Sequence, residues 1–274
     1  MYDGTVDTPT TDSPLLELQD VRVRFRARAG TEKWFDAVRS VSLALNRGET
    51  LGLVGESGSG KSTLGRAALR LIDVHHGVIR FDGVDLRSAS SLQMRTMRRR
   101  MQMIFQDPGG AMNPRQRVWR IVSEPLLVQG VVKKPRELRA RAEALLDRCG
   151  MPADAAARRP HEFSGGQRQR IMIARALALE PDLVVCDEPT SALDVSVQAQ
   201  ILNLLRDLQD EHGLAYLFIS HDMGVIRHMC DRVAVMKAGE IVEQGLADQV
   251  IGAPEHPYTR SLLESVPKID GVLV

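Results

Sequence analysis

Cysteine is scarce in this chain: Cys149, Cys186 and Cys230 are all it has, and no two form a CxxC pair. An odd, dispersed count fits neither a disulfide framework nor a thiolate zinc site, and suits reduced thiols in the cytosol. Long apolar runs are also missing. Among the longest is LAYLFI at 214–219, far too short to span a bilayer. The opening MYDGTVDTPTTDSP is acidic and polar, so it is neither a secretory signal nor an Arg-rich transit peptide. Residues 1–14 are expected to form a disordered leader. Charge of one sign is lacking too: 36 Lys+Arg against 35 Asp+Glu leave a net charge of +1, which argues against a protein held on nucleic acid mainly by charge. The basic run RTMRRRMQM at 95–103 has no aromatic residues interleaved with it, so it reads as a solvated edge beside a strand. There is no internal repeat and no low-complexity segment. These absences point to a cytoplasmic protein that meets a membrane only through partners.

What is present is an ordinary apolar share, 43% of 274 residues, enough for one large domain or two lobes. LLELQDVRVRF alternates apolar and polar residues as a half-buried strand does, and RARAGTEKW follows as a loop. AVRSVSLALNRGETLGLVGESGSGKSTLGRAAL holds two strand signals, a glycine-rich turn and a helix start. From about Arg115 to Leu179 helical spacing takes over, in PRELRARAEALLDRCG and GQRQRIMIARALALEP. Strand character returns at LVVCDEP, AYLFISHD and DRVAVMKAGEIVEQG, the last with a hairpin turn expected at GE. Continuous apolar strands beside helices predict a sheet covered on both faces. The end, from Ala247, is a short helical tail with proline breaks.

Residues 55–63, GESGSGKST, fit the pattern G-x-x-x-x-G-K-[ST] after an apolar run and before a helix. Glycines there let successive backbone N–H groups turn inward around a phosphate chain, and the helix start adds partial positive charge. The candidate nucleotide-binding residues are therefore Gly55, Glu56, Ser57, Gly58, Ser59, Gly60, Lys61, Ser62 and Thr63. Lys61 is placed to reach the β- and γ-phosphates, and the Ser62 hydroxyl to ligate Mg²⁺. The bland alternative is a flexible glycine loop. LVVCDE at 183–188 is a buried strand ending in two carboxylates, with Asp187 assigned to the Mg²⁺ shell and Glu188 as general base. Taken alone it also fits a strand ending in a solvated acidic turn. MIFQDP puts Gln106 at another strand end, within reach of Mg²⁺ or of an attacking water. LFISHD does the same for His221, as a γ-phosphate contact or a structural histidine.

The ordered set GESGSGKST, Gln106, FSGGQ, LVVCDEP, SALD at 191–194 and His221 resembles the ATP-binding subunit of ABC transporters over nearly the whole chain. The resemblance implies an α/β fold: a P-loop NTPase core with a mixed sheet, an inserted α-helical subdomain at about 107–180 and a short C-terminal tail. It implies an ATP-binding domain over 15–250 and a tail over 251–274. It also implies a site shared across a dimer. Ser164, Gly165, Gly166 and Gln167 then contact the γ-phosphate on the opposite subunit, Asp194 bridges to the partner's P-loop, and Glu188 is the catalytic base. Ser164 suits a helix N-cap, and the helix it opens has free N–H groups for an anion. An upstream aromatic residue stacks on adenine in this family; Phe25 is the first candidate, with Trp34 and Phe35 as alternatives.

GESGSGKST, MIFQDP followed by MNPR, and above all EHPYTRSLLESVP resemble the oligopeptide/dipeptide branch of ABC importers. That resemblance implies ATP and Mg²⁺ as cofactors, a sister ATPase subunit in a heterodimer, two permeases and an extracytoplasmic solute-binding protein. It implies a peripheral place on the cytoplasmic face of the inner membrane, and no nucleic acid partner. Peptides are the expected cargo, with nickel or glutathione as alternatives within the branch. Some members carry an iron–sulfur cluster in a cysteine-rich tail; this tail has no cysteine, so none is expected. Phe163 stands where the family commonly has Leu, and Ala111–Met112 and Gln116–Arg117 depart from its usual residues in a region expected to face the permease. The methionines are read as core and groove fillers, His75–His76 as surface, and Cys186 as packing. A soluble ABC-type ATPase acting on DNA or ribosomes would bring a long coiled coil, zinc modules or tandem cassettes. A P-loop small-molecule kinase leaves SGGQ, SALD and His221 unexplained.

Overall fold

The structure, a computed structural model, describes residues 13–26 and 34–264, together with the backbone of 268–269 and 272–273. The leader expected over 1–14 lies almost wholly outside the described residues. In chain order the elements are β1 (Leu16–Arg26), β2 (Trp34–Leu45), β3 (Thr50–Val54), α1 (Lys61–Ala68), β4 (His76–Phe81) and β5 (Val84–Asp85). Then come α2 (Ser91–Arg100), β6 (Met101–Ile104), α3 (Pro108–Ala111), α4 (Val118–Val128), α5 (Pro135–Arg148) and α6 (Gly165–Leu177). The chain continues with β7 (Leu183–Asp187), α7 (Val195–His212), β8 (Ala215–Ile219), α8 (Met223–Met229), β9 (Arg232–Lys237) and β10 (Glu240–Leu246). It closes with α9 (Ala247–Gly252), α10 (Pro257–Glu264), β11 (Lys268–Ile269) and β12 (Val272–Leu273).

Two sheets organise these elements. The antiparallel sheet runs β2-β1-β4-β5, and the larger one runs β10-β9-β3-β8-β7-β6. In the larger sheet β6, β7, β8, β3 and β9 are mutually parallel and only β10, at the edge, is antiparallel. Every residue of β3, β7 and β8 is buried, which is why these strands are continuous apolar runs rather than alternating ones. Their side chains divide between two core clusters with the two-residue period of a strand. Val184 and Cys186 with Tyr216 and Phe218 join the cluster containing α6, α7 and α8; Leu183 and Val185 with Leu217 and Ile219 join the one containing α1 and the antiparallel sheet. The sheet is thus covered on both faces, and its C-terminal strand ends are left open to build a site.

Between β6 and β7 the chain is helical, α3 to α6, with only short 3₁₀ turns besides. The basic run at 95–103, expected as a solvated edge beside a strand, ends α2 and enters β6; its arginines are mostly exposed, and three of them also tether neighbouring segments. Arg95 and Arg99 donate to the backbone oxygens of Val128 and Gln129 at the end of α4, each at 2.7 Å. Arg100 pairs with Asp82 at 2.7 Å and Asp182 at 2.5 Å. The hairpin turn expected at GE falls one residue earlier. Ala238 and Gly239 form it, at φ 46° and 89°, and Glu240 already belongs to β10. Two positive φ values match the right-handed twist of a hairpin. None of the described helices is long and apolar enough to cross a membrane.

Candidate nucleotide-binding site

The loop from Gly55 to Gly60 joins buried β3 to α1, and two of its three positive-φ glycines pack against neighbouring strands. Gly55 has φ +148° and Gly60 has φ +107°. A Cβ on Gly55 would run into the Met236 carbonyl oxygen, and one on Gly60 into that of Ala37. The loop therefore packs its glycines against β9 and β2. Lys61 follows as the first residue of α1, only 5% exposed, with its Nζ donating to the Gly55 oxygen at 2.7 Å and the Glu56 oxygen at 2.8 Å. Burial pushes its ammonium below the usual lysine range, against the pull of Glu188, Asp187 and Glu56. A cation so placed, beside the backbone N–H groups of the loop, is suited to a phosphate chain.

Ser62, one residue on, donates its hydroxyl to Asp187 Oδ1 at 2.7 Å. Asp187 is fully buried at the end of β7, and its Oδ2 has no hydrogen-bond donor among the described residues; the Arg66 guanidinium stands off at 3.6 Å. Burial pushes this carboxyl above the usual range, opposed by the Ser62 hydrogen bond and the Arg66 charge. A buried carboxylate with one orphaned oxygen beside a hydroxyl is the donor set a hard cation takes, and the residues fit Mg²⁺ shared with a phosphate chain. The described residues contain no cluster of three or more His, Cys, Asp and Glu side chains that could hold a metal without the nucleotide.

Glu188 occupies a left-handed backbone position, φ 47°, which is uncommon for a residue with a side chain. Its N–H is tied to the Ile219 oxygen at 3.0 Å, fixing the residue between the ends of β7 and β8. The Gln106 amide donates to its Oε2 at 2.8 Å from beyond the end of β6, and His221 Nδ1 lies 3.3 Å from its Oε1 beyond the end of β8. Three residues spread over 115 positions of sequence, each just past a strand, thus meet on one carboxylate. A carboxylate held at both oxygens by neutral or titratable donors can orient a water and take its proton.

The serine–glycine segment performs local work first. Ser164 is the N-cap of α6: its hydroxyl oxygen accepts from the Gln167 N–H at 3.3 Å, and Gln167 Oε1 accepts from the Ser164 N–H at 3.1 Å. This reciprocal box uses the two side chains as acceptors and leaves the Ser164 hydroxyl proton, the Gln167 amide protons and the first-turn N–H groups of Gly165 and Gly166 as donors. Gly166 is also a packing residue, because a Cβ there would collide with Val197 of α7. Asp194 caps α7, accepting from the Ser196 hydroxyl at 2.7 Å and from the Val197 N–H at 3.0 Å, and these bonds, the first above all, hold its carboxyl below the usual range. Among the described residues none of the hydrogen bonds of Ser164 to Gln167 reaches the P-loop of the same chain.

Of the three aromatic candidates, Phe25 and Phe35 are directly opposed on the β1–β2 ladder, and all three are exposed. Trp34 is engaged elsewhere: Arg24 lies over its ring at 4.8 Å and His75 meets it edge-on at 6.0 Å. What the sequence reading missed is Tyr258 of α10, whose hydroxyl accepts from the Glu56 N–H of the P-loop at 3.1 Å. The tail motif marked the residue, and nothing in the spacing showed what it touches.

Comparison with known proteins adds to this geometry. Residues 38–191 match the ABC transporter family, and residues 242–273 match the oligopeptide/dipeptide transporter C-terminal region. The chain is 48% identical over 266 residues to the dipeptide transport ATP-binding protein DppF of Lactococcus lactis, covering 96% of this chain and 84% of that one. It is 50% identical over 260 residues to a Brucella ovis protein named for peptide import and ATP binding, covering 95% and 81%. Among solved structures, the dimeric ATP-binding cassette MJ0796 in a post-hydrolysis state bound to ADP and Pi superposes with a TM-score of 0.76 at 29% identity, covering 85% of this chain and 98% of that one. A cassette described as cbiO1 from Clostridium perfringens, part of the cbiONQ transporter complex, gives 0.74 at 28% identity, covering 88% and 92%. With the phosphate cradle, the strand-end carboxylates and the mixed sheet in place, the chain belongs to the ABC transporter family as an ATP-binding, ATP-hydrolysing subunit.

Proposed function

We propose that this subunit powers peptide import, hydrolysing ATP beneath two permeases fed by an extracytoplasmic binding protein. The observation that carries the catalytic part is Glu188 held between Gln106 and His221 at three strand ends. The match of residues 242–273 to the oligopeptide/dipeptide transporter region, and relatives named for peptide and dipeptide transport, support the cargo class.

In this reading the N–H groups of residues 55–63 and the Lys61 ammonium bind the phosphates, and Phe25 or Phe35 covers the adenine. Ser62, Asp187 and Gln106 would hold Mg²⁺, which when bound neutralises charge on the β- and γ-phosphates. Glu188 orients water and takes its proton, and His221 holds the other side of that carboxylate and faces the γ-phosphate. Ser164, Gly165, Gly166 and Gln167 donate to the γ-phosphate bound by a second ATP-binding subunit, and Asp194 reaches that subunit's P-loop. The C-terminal match favours a sister subunit over a second copy. Closure of the pair on ATP and its release after hydrolysis move the helical segment, about 107–180, against permease loops on the cytoplasmic face of the membrane. Residues 15–250 form the ATP-binding domain and 251–274 the branch-specific tail.

The test is reconstitution with the two permeases, the sister subunit and the binding protein in vesicles. ATP-dependent uptake of labelled di- or oligopeptide is expected. Uptake of nickel or glutathione in place of peptide would replace the cargo, and ATP turnover that responds to nucleic acid but to no permease would overturn the reading.

A further inference from the structure

The P-loop has a tie that its own sequence does not supply. The Gly55–Glu56 peptide is one rigid plane, with its C=O and N–H pointing opposite ways. On one side the Gly55 oxygen accepts from Lys61 Nζ at 2.7 Å; on the other the Glu56 N–H donates to the Tyr258 hydroxyl at 3.1 Å. Tyr258 belongs to α10, about 200 residues from the loop it meets. Its ring is 7% exposed and lies under the ammonium of Lys237, 4.6 Å from the ring centroid, at the end of β9. The turn that follows β9 backs the loop, since the Gly239 N–H donates to the Ser59 oxygen at 2.9 Å. The start of α10 is pinned in turn: Glu243 of β10 accepts from the N–H groups of Glu255 and His256 at 2.8 and 3.1 Å.

We propose that Tyr258 is a positioning residue for the nucleotide, fixing the Gly55–Glu56 peptide so that the loop and Lys61 stand ready for phosphate. It touches no substrate and acts through the loop alone. The tail therefore contributes to nucleotide affinity in this chain and is more than an appendage of the ATP-binding domain. The inference rests on ATP binding at residues 55–63.

Tyr258→Phe keeps the ring beneath Lys237 and removes the acceptor. In the full chain its ATP affinity is expected to fall about three- to tenfold, on the scale of one hydrogen bond, with the thermal midpoint without nucleotide falling by no more than a few degrees. In the assembled transporter the KM for ATP should rise by the same factor while kcat stays within about twofold of wild type, a split that a merely structural role would not produce. Lys237→Gln, which frees the ring, should reproduce part of the rise, and Lys237→Arg, which keeps a cation over it, should not. Unchanged affinity and KM in Tyr258→Phe would overturn the proposal, as would a fall in kcat alone. Should Tyr258→Phe fail to fold, Lys237→Gln with wild-type affinity is the overturning result. Absence of ATP turnover in the wild-type assembly would count against the proposed function; the ATP affinities of the isolated full chains would still decide the role of Tyr258.

Discussion

At the scale of single residues, two adjacent carboxylates at one strand end are set apart by their surroundings. Asp187 is buried with an orphaned oxygen, whereas Glu188 is held at both oxygens and opens toward Gln106 and His221. Glu188→Gln should bind ATP as wild type does and lose hydrolysis by at least about 100-fold in the assembled complex, the worth of a positioned general base. Near-normal turnover there would remove Glu188 from its role. Asp187→Asn deletes a buried charge that has no hydrogen bond on one oxygen. Its thermal midpoint without nucleotide should rise, and the further rise that Mg²⁺ with ATP produces in wild type should be lost. A midpoint that falls instead would mean that Arg66, 3.6 Å away, already compensates the charge. The pair could be picked out from LVVCDE alone; which oxygen is satisfied could not, because Ser62 and Arg66 come from a helix more than 100 residues earlier.

Secondary elements meet through small residues and a few ion pairs. Gly166 lets α6 lie directly against Val197 of α7, so Gly166→Ala should cost about 1–3 kcal/mol by overpacking. Val197→Ala in the same chain should recover most of that loss in a denaturant melt, and no recovery would place the cost in the α6 backbone. Arg100 joins the end of α2 to Asp82 and Asp182. Burial alone would push the Asp82 carboxyl up, but the hydrogen bond and charge of Arg100, with Arg47, hold it below the usual carboxylate range. A carboxyl lowered in the folded state stabilises above its unfolded value and loses that contribution as pH falls through the folded one. Arg100→Gln should therefore cost on the order of 1 kcal/mol near neutrality, and its difference from wild type should shrink below about pH 4. A difference independent of pH would assign the loss to packing on Phe81, whose ring lies 5.1 Å from the Arg100 guanidinium carbon.

On the scale of the whole molecule, the proposed function assigns the cap of α6 to a site on a second subunit. Hydrogen bonds link Ser62 to Asp187 and Gln106 to Glu188, whereas those of the α6 cap stay within its own first turn. Ser164→Arg should leave ATP binding at Lys61 intact while abolishing closure and hydrolysis at the partner's site. A mixed complex carrying the change in one subunit only would lose turnover at the site that subunit completes. Loss of ATP affinity in the isolated variant would instead place Ser164 at its own chain's nucleotide.

Much of this protein can be read from one strand of letters because the chemistry is written in short local words. A glycine pattern before Lys61, acids ending an apolar run and a serine before two glycines each dictate a local geometry, since backbone sterics and helix capping act over a few residues. By itself the sequence determined the phosphate loop, the strand-end acids, the covered sheet and the branch signature of the tail. Only the tertiary structure decided that Gln106 and His221 grip the same carboxylate, that the arginines of 95–100 tether helices, and that Tyr258 reaches back to the Gly55–Glu56 peptide. Those contacts join residues 18 to 202 positions apart. No short-range preference specifies them; the packing of strands and helices around the shared core does.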